Sequence, residues 1–120
     1  MIKIEEVSND VGISFLNDSK AYKEKIYVSK CDKWFGAFEG DKIVGVIGLL
    51  GKRVRCFFVL KEYRKQGIGS ELLSTLLSRS DKEWYSAYVT EYSMRIFIEY
   101  GFEIVSVNEK TGIRFVRLNA

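Results

Sequence analysis

The chain contains no histidine and only two cysteines in 120 residues. Without histidine, Ser-His and Cys-His nucleophile pairs are excluded. A zinc site has almost no ligands to draw on, so no metal is expected. Cys31 and Cys56 form neither a CxxC motif nor a disulfide framework. The start, "MIKIEEVSND", is acidic and its apolar run is too short for a signal peptide. No stretch approaches the roughly 20 apolar residues a membrane span needs. A formal charge of +3 is too small to imply a nucleic-acid partner. These shortages set the expectation of a soluble protein in a reducing, cytoplasmic setting, with no membrane partner.

What is present favours a folded core. Apolar residues make up 47% of the chain, enough for one globular domain over residues 1–120. Ile2 to Val7 alternates apolar and polar, the pattern of a strand with one buried face. Ile13 to Lys30 is mixed and reads as one or two short helices, the second capped by Asp18 or Ser19. Three β-rich runs come next, roughly 34–39, 42–50 and 53–60, with turn residues at Glu39-Gly40-Asp41 and Leu50-Gly51-Lys52. They predict an antiparallel meander. Gly45 and Gly48 weaken the middle run and mark a bulge or a close approach by another segment. From about Gly67 to Arg79, Ile68, Leu72, Leu73, Leu76 and Leu77 share one helical face. Glu83 to Thr90 reads as a strand, Ser93 to Tyr100 as a short helix closed by Gly101, and Phe102 onward as two strands around a turn at Asn108 to Gly112. The fold class is α+β (mixed α/β) around a central sheet.

The chemistry concentrates in "VLKEYRKQGIGSELL", where a strand breaks into a basic glycine turn and then a helix. A P-loop requires Gly-Lys-Ser/Thr, but this turn has Gly69-Ser70-Glu71. A dinucleotide fingerprint requires a third glycine where Leu72 stands. The physics common to such sites is still present. A helix N-terminus offers unpaired N–H groups and the positive end of a dipole. Glycines let an anion approach the backbone. Six basic side chains and one acidic side chain lie between Lys52 and Lys65. A diphosphate suits this turn. Nucleic acid is not the expected partner, because that would require stacking aromatics on the same face as the cations.

The run Val59, Glu62, Tyr63, Arg64, Gly67 and Gly69 resembles motif A of the GNAT superfamily of acyl-CoA-dependent N-acyltransferases. Lys61 stands where that family often has proline. The resemblance extends over roughly residues 34–118, with "SMRIFIEYGFE" similar to the family's late helix and the strand after it. It implies a mostly antiparallel, twisted sheet flanked by helices, with one splayed strand pair. It also implies acetyl-CoA as co-substrate. Arg64, Lys65, Gln66, Gly67, Ile68, Gly69 and Ser70 would hold the pyrophosphate. The open edge of Phe58, Val59 and Leu60, with Thr90, would meet the pantetheine arm. The Val59 N–H would lie near the acyl carbonyl.

The implied reaction is direct acetyl transfer to a primary amine of a small molecule, peptide or protein. It needs a base and, often, an acid for the leaving thiolate. Phe97 stands where the family usually has the tyrosine acid. Tyr88, Tyr92 and Ser93 are the substitute hydroxyls, and Glu91 is favoured over Glu39 as base. Cys56, inside a strand, reads as a small core residue rather than a nucleophile. The contrasting reading is a catalytically reduced acyl-CoA-binding or regulatory module. A monomer or a homodimer is expected.

Overall fold

The computed structural model describes residues 1–119, with Tyr92 described by its backbone only. Among the described residues, seven strands form one sheet in the order β1-β2-β3-β4-β5-β7-β6. They are β1 (Ile2–Val7), β2 (Lys33–Glu39), β3 (Lys42–Leu50), β4 (Arg53–Val59), β5 (Trp84–Val89), β6 (Glu103–Val107) and β7 (Arg114–Asn119). Every adjacent pair is antiparallel except β4–β5. The helices are α1 (Asn9–Asp18), α2 (Ile68–Ser78) and α3 (Glu91–Glu99). The predicted meander and terminal hairpin are present, and the fold is mixed α/β as expected.

The region before β2 differs from its expectation. Ser8 is the N-cap of α1, its hydroxyl accepting from the Val11 amide at 3.2 Å, and neither Asp18 nor Ser19 caps a second helix. Ser19 closes the same helix, its hydroxyl donating to the Phe15 carbonyl at 2.7 Å. The chain then forms only a 3-10 turn, Ala21–Glu24, flanked by Lys20 and Lys25 with positive φ. Two left-handed residues so close together leave no room for a second α-helix.

The sheet has an apolar core on each face. On one, Leu72, Leu73 and Leu76 of α2 and Phe97 of α3 pack on Phe35, Ile47, Ala87, Val89 and Val116. On the other, Phe15 and Leu16 of α1 cover Trp34, Val46, Cys56 and Phe58. Each buried side chain of this size stabilises the fold by about 1.5–3 kcal/mol. Asn9 orients α1, its side-chain oxygen accepting from the Trp34 indole at 2.7 Å and the Cys31 amide at 2.9 Å.

The irregularity predicted for the middle strand lies between Val46 and Gly48, opposite Cys56, whose φ is 56°. Cys31 approaches Gly48 so closely that a Cβ there would stand 2.7 Å from its Sγ. The bulge resets the alternation of β4. Val54 joins the α2 side of the sheet, while Cys56 and Phe58 both join the α1 side.

Candidate active site

The parallel pairing is short. β4 meets β5 at Arg53↔Ser86 and Val54↔Ala87, and among the described residues the pairing ends there. The strands separate and open a cleft of about 600 Å³, within the usual range of small-molecule sites. Phe57, Phe58 and Val59 line its β4 wall. Thr90, Glu91 and Ser93, at the start of α3, line the facing wall.

Val59 is the last residue of β4, on the wall of the opened cleft. The next amide, Leu60, donates to the Val44 carbonyl at 2.8 Å and so faces β3. Strand alternation therefore turns the Val59 N–H away from β3 toward the cleft. The Val59 carbonyl accepts from Arg64 Nε at 2.9 Å. Leu60 lies on the other face of the sheet, where it lines a groove beside α1.

The floor of the cleft is the turn into α2. Lys65 and Gly67 both have positive φ, 63° and 82°, which swings the chain so that α2 begins facing the opening. The helix starts at Ile68 with no side chain capping it. Its first amides lack intrahelical partners by geometry, and the dipole adds positive potential there. Lys65, Gly67, Ile68, Gly69 and Ser70 all line the cleft, whereas Gln66 turns its side chain to the Glu62 carbonyl. The two glycines differ in their surroundings. A Cβ at Gly67 would meet nothing within 4 Å. At Gly69 it would stand 3.0 Å from Ile96 Cδ1 and 3.1 Å from Phe57 Cζ. Gly67 thus keeps the cleft open, and Gly69 lets α2 pack closely on α3 and β4.

Arg64 braces the turn. Besides Val59, its guanidinium engages Glu24 at 2.8 Å and lies over the Phe58 ring at 5.2 Å. One side chain thereby ties the end of β4 to the 3-10 turn 40 positions earlier.

The catalytic candidates lie in different places. Glu91 is exposed on the cleft wall, beside Ser93, whose hydroxyl reaches the Thr90 carbonyl at 3.5 Å. Tyr88 is 61% exposed on the α1 side of the sheet, stacked with Phe115 and Arg53. Glu39 accepts from the Tyr63 hydroxyl at 2.9 Å, which raises the Tyr63 pKa. The Tyr92 side chain lies outside the described residues. Phe97 is 1% exposed, in edge-on contact with Phe57 at 5.7 Å and Phe102 at 5.0 Å. It belongs to the core. Cys56 is buried, in keeping with a core role.

Sequence patterns did not single out Glu24 and Ile26 from the loop before β2, or Arg95, Ile96 and Glu99 from α3, all of which line the cleft. The α3 residues carried a usable signal, because Glu91, Arg95 and Glu99 recur at i, i+4. Nothing in the sequence connects residue 24 with residue 64.

A family profile described as the acetyltransferase (GNAT) domain matches residues 4–119. No curated protein matches the chain. Solved structures share its fold at low identity. An acetyltransferase from Salmonella typhimurium, solved with acetyl-CoA, is 15% identical with a TM-score of 0.77, over 98% of this chain and 93% of that one. A GNAT-family acetyltransferase from Staphylococcus aureus is 16% identical with a TM-score of 0.75, over 99% of both chains. The PaiA N-acetyltransferase of Thermoplasma acidophilum, in complex with coenzyme A, is 14% identical with a TM-score of 0.69, over 100% of this chain and 99% of that one.

Proposed function

The chain belongs to the GNAT acetyltransferase family, and from that premise we propose that it is an N-acetyltransferase, a single domain over residues 1–120, moving acetyl from acetyl-CoA directly to a primary amine. The observation that carries this reading is the alignment of two backbone donors in one cleft. The outward Val59 amide lies on its wall, and the uncapped start of α2 forms its floor.

The residues present suit coenzyme A. The amides of Gly67, Ile68, Gly69 and Ser70 would hold the pyrophosphate, with Lys65 adding charge. The free edge of β4 at Phe57 to Val59 would satisfy its polar groups on the amide-rich pantetheine arm, with Thr90 opposite. Acetyl-CoA supplies an activated thioester, so no covalent enzyme intermediate is required. The Val59 N–H is placed to donate to the carbonyl oxygen as negative charge develops there. Glu91, exposed on the facing wall, is assigned the proton of the incoming ammonium, directly or through water. Ser93, further along α3, also lines the cleft and is the hydroxyl assigned to the leaving thiolate. Tyr88 is not assigned the acid role, because its ring stacks with Arg53 and Phe115.

A second reading rests on Phe97. With an aromatic core residue at the family's acid position, the chain would be an acyl-CoA-binding module with reduced activity. Calorimetry with CoA and thiol release from acetyl-CoA over a broad amine panel separate the two. Binding with turnover supports the enzyme, binding without turnover on any amine supports the module, and no binding refutes both.

A further inference from the structure

One sheet face outside the cleft is rich in cations that lack acidic partners. β5 alternates, with Tyr85, Ala87 and Val89 entering the core under α2 and α3. Trp84, Ser86 and Tyr88 therefore face the other way. Their register partners are Asn119, Arg117 and Phe115 on β7, and Arg53 on β4 stands opposite Ser86. The Arg53 guanidinium lies 4.8 Å over the Tyr88 ring and 5.8 Å over Phe115. Arg117 and Lys52 lie over Trp84 at 4.5 and 4.8 Å. Arg55 comes after Arg53 on the same face, toward the divergence of β4 and β5.

Among the described residues, none of these four cations forms an ion pair. Glu103 is the register partner of Arg117 but is not within salt-bridge distance. Arg53 Nε is buried without any hydrogen-bond partner. A guanidinium held flat on an aromatic ring is pre-ordered, and its outer N–H edge matches a carboxylate.

The row leads into the cleft. From Trp84 to Thr90, which lines the cleft, β5 advances six residues, or about 20 Å at 3.3 Å each. Resting on the acetyl-transfer reading above, we propose that the acceptor is the amine of an acidic peptide. Its amine sits at the Glu91 wall and its carboxylates run back along Arg55, Arg53 and Arg117. A single amino acid spans too little of that distance to engage both ends. A second copy of the chain is a poor occupant, since a two-fold contact through this face would set the same cations against each other. Nucleobases are poor occupants too, because the cations already cover the aromatic faces that bases would stack on.

The test measures binding of six-residue peptides with a free amino terminus (acidic, neutral and arginine-rich) to the CoA-saturated protein, read by tryptophan fluorescence. The acidic peptide should bind at least about ten-fold tighter than the neutral one, as one charge-assisted hydrogen bond would give. That preference should fall with added salt. Arg53→Gln with Arg117→Gln should remove it while CoA affinity holds. Lys52→Gln with Arg117→Gln, at the exposed end, should reduce it and keeps the test usable if the first pair unfolds. Equal binding of all three peptides overturns the proposal, as does tighter binding of an oligonucleotide, or a dimer that the variants disrupt. Acetyl transfer separates the two claims. Transfer that ignores acidity refutes the acidic acceptor and leaves the acetyltransferase standing. Selective acidic binding without transfer refutes the acetyltransferase reading and the acceptor role with it, leaving only a face that binds acidic peptides.

Discussion

The two glycines of the turn should respond to substitution in opposite ways, and that difference tests the cleft assignment directly. At Gly67 the added atoms enter open space, but φ is 82°, where a side chain costs roughly 1–2 kcal/mol unless it is asparagine. Gly67→Asn therefore keeps the backbone and fills only the cleft. Its melting temperature should stay within about 4 °C of the parent, the shift expected for 1 kcal/mol in a domain of this size. Displacing a phosphate oxygen from one backbone donor removes a charge-assisted hydrogen bond of about 1.5–3 kcal/mol, so CoA affinity should fall by about 10- to 150-fold. At Gly69 the backbone is helical, but a Cβ would stand 3.0 Å from Ile96 and 3.1 Å from Phe57. Gly69→Ala therefore overpacks the junction of α2, α3 and β4, at about 1–3 kcal/mol. It should lower the melting temperature by roughly 4–12 °C and weaken CoA binding less than Gly67→Asn does. Calorimetry with CoA and thermal unfolding of the same preparations measure both quantities. If Gly67→Asn binds CoA as tightly as the parent, the pyrophosphate does not sit at this turn. If Gly69→Ala loses CoA affinity at unchanged stability, the division of labour between the glycines is wrong.

Three further outcomes stem from particular contacts. Phe97→Tyr places a hydroxyl in a fully buried aromatic cluster, so it should destabilise by about 1–3 kcal/mol in denaturant titration and leave thiol release no faster. A rise in turnover would show that position 97 faces the thiol after all. Arg64→Met keeps bulk but deprives the Val59 carbonyl of its donor, so stability should drop by about 1.5–3 kcal/mol and CoA affinity with it, whereas Glu24→Gln, on an exposed partner, should cost under about 1 kcal/mol. Equal effects from the two variants would show that the ion pair, rather than the carbonyl contact, braces the turn. The neighbouring Cys31 thiol, together with the Ser29 contacts, pulls the Cys56 thiol below the ordinary range, while Cys56 and burial push Cys31 up. A depressed folded value adds stability as pH rises toward the unfolded thiol value near 9. The raised Cys31 value reverses that gain above it. Thiolate absorbance should show one thiolate forming below pH 9, and Cys31→Ala should move that titration upward. Two thiolates forming together near the ordinary value would refute the coupling.

The elements that the sequence showed best were those whose evidence is local. The leucine repeat of α2, the turns of the meander and the Asn108–Gly112 turn depend on residues a few positions apart, and each formed where the pattern placed it. Of the one or two short helices expected before β2, one α-helix forms, and left-handed residues at Lys20 and Lys25, which no side-chain pattern announces, hold the segment after it to a 3-10 turn. Among the site residues, the turn from Lys65 to Ser70 was legible because glycine, charge and helix start are contiguous. Tyr88 was misleading as a candidate. Its position next to the cleft in sequence says nothing of which face of β5 it occupies, and strand alternation turns it away from the core.

By itself, then, the sequence determined the strand and helix periods, the basic glycine turn before α2, and the absence of histidine that excludes Ser-His and Cys-His nucleophile pairs. The tertiary structure alone decided where β4 and β5 part. The β4–β5 pairing stops at Val54↔Ala87, just before a bulge at Cys56 opposite Ile47, and the neighbouring Gly48 is pressed by Cys31 from a distant loop, a contact between segments that no local pattern records. Packing also decided the roles of single residues. It made Gly69 a spacer, Phe97 a core ring and Arg64 a brace to Glu24, because contact between distant segments depends on three-dimensional proximity that a local pattern does not record.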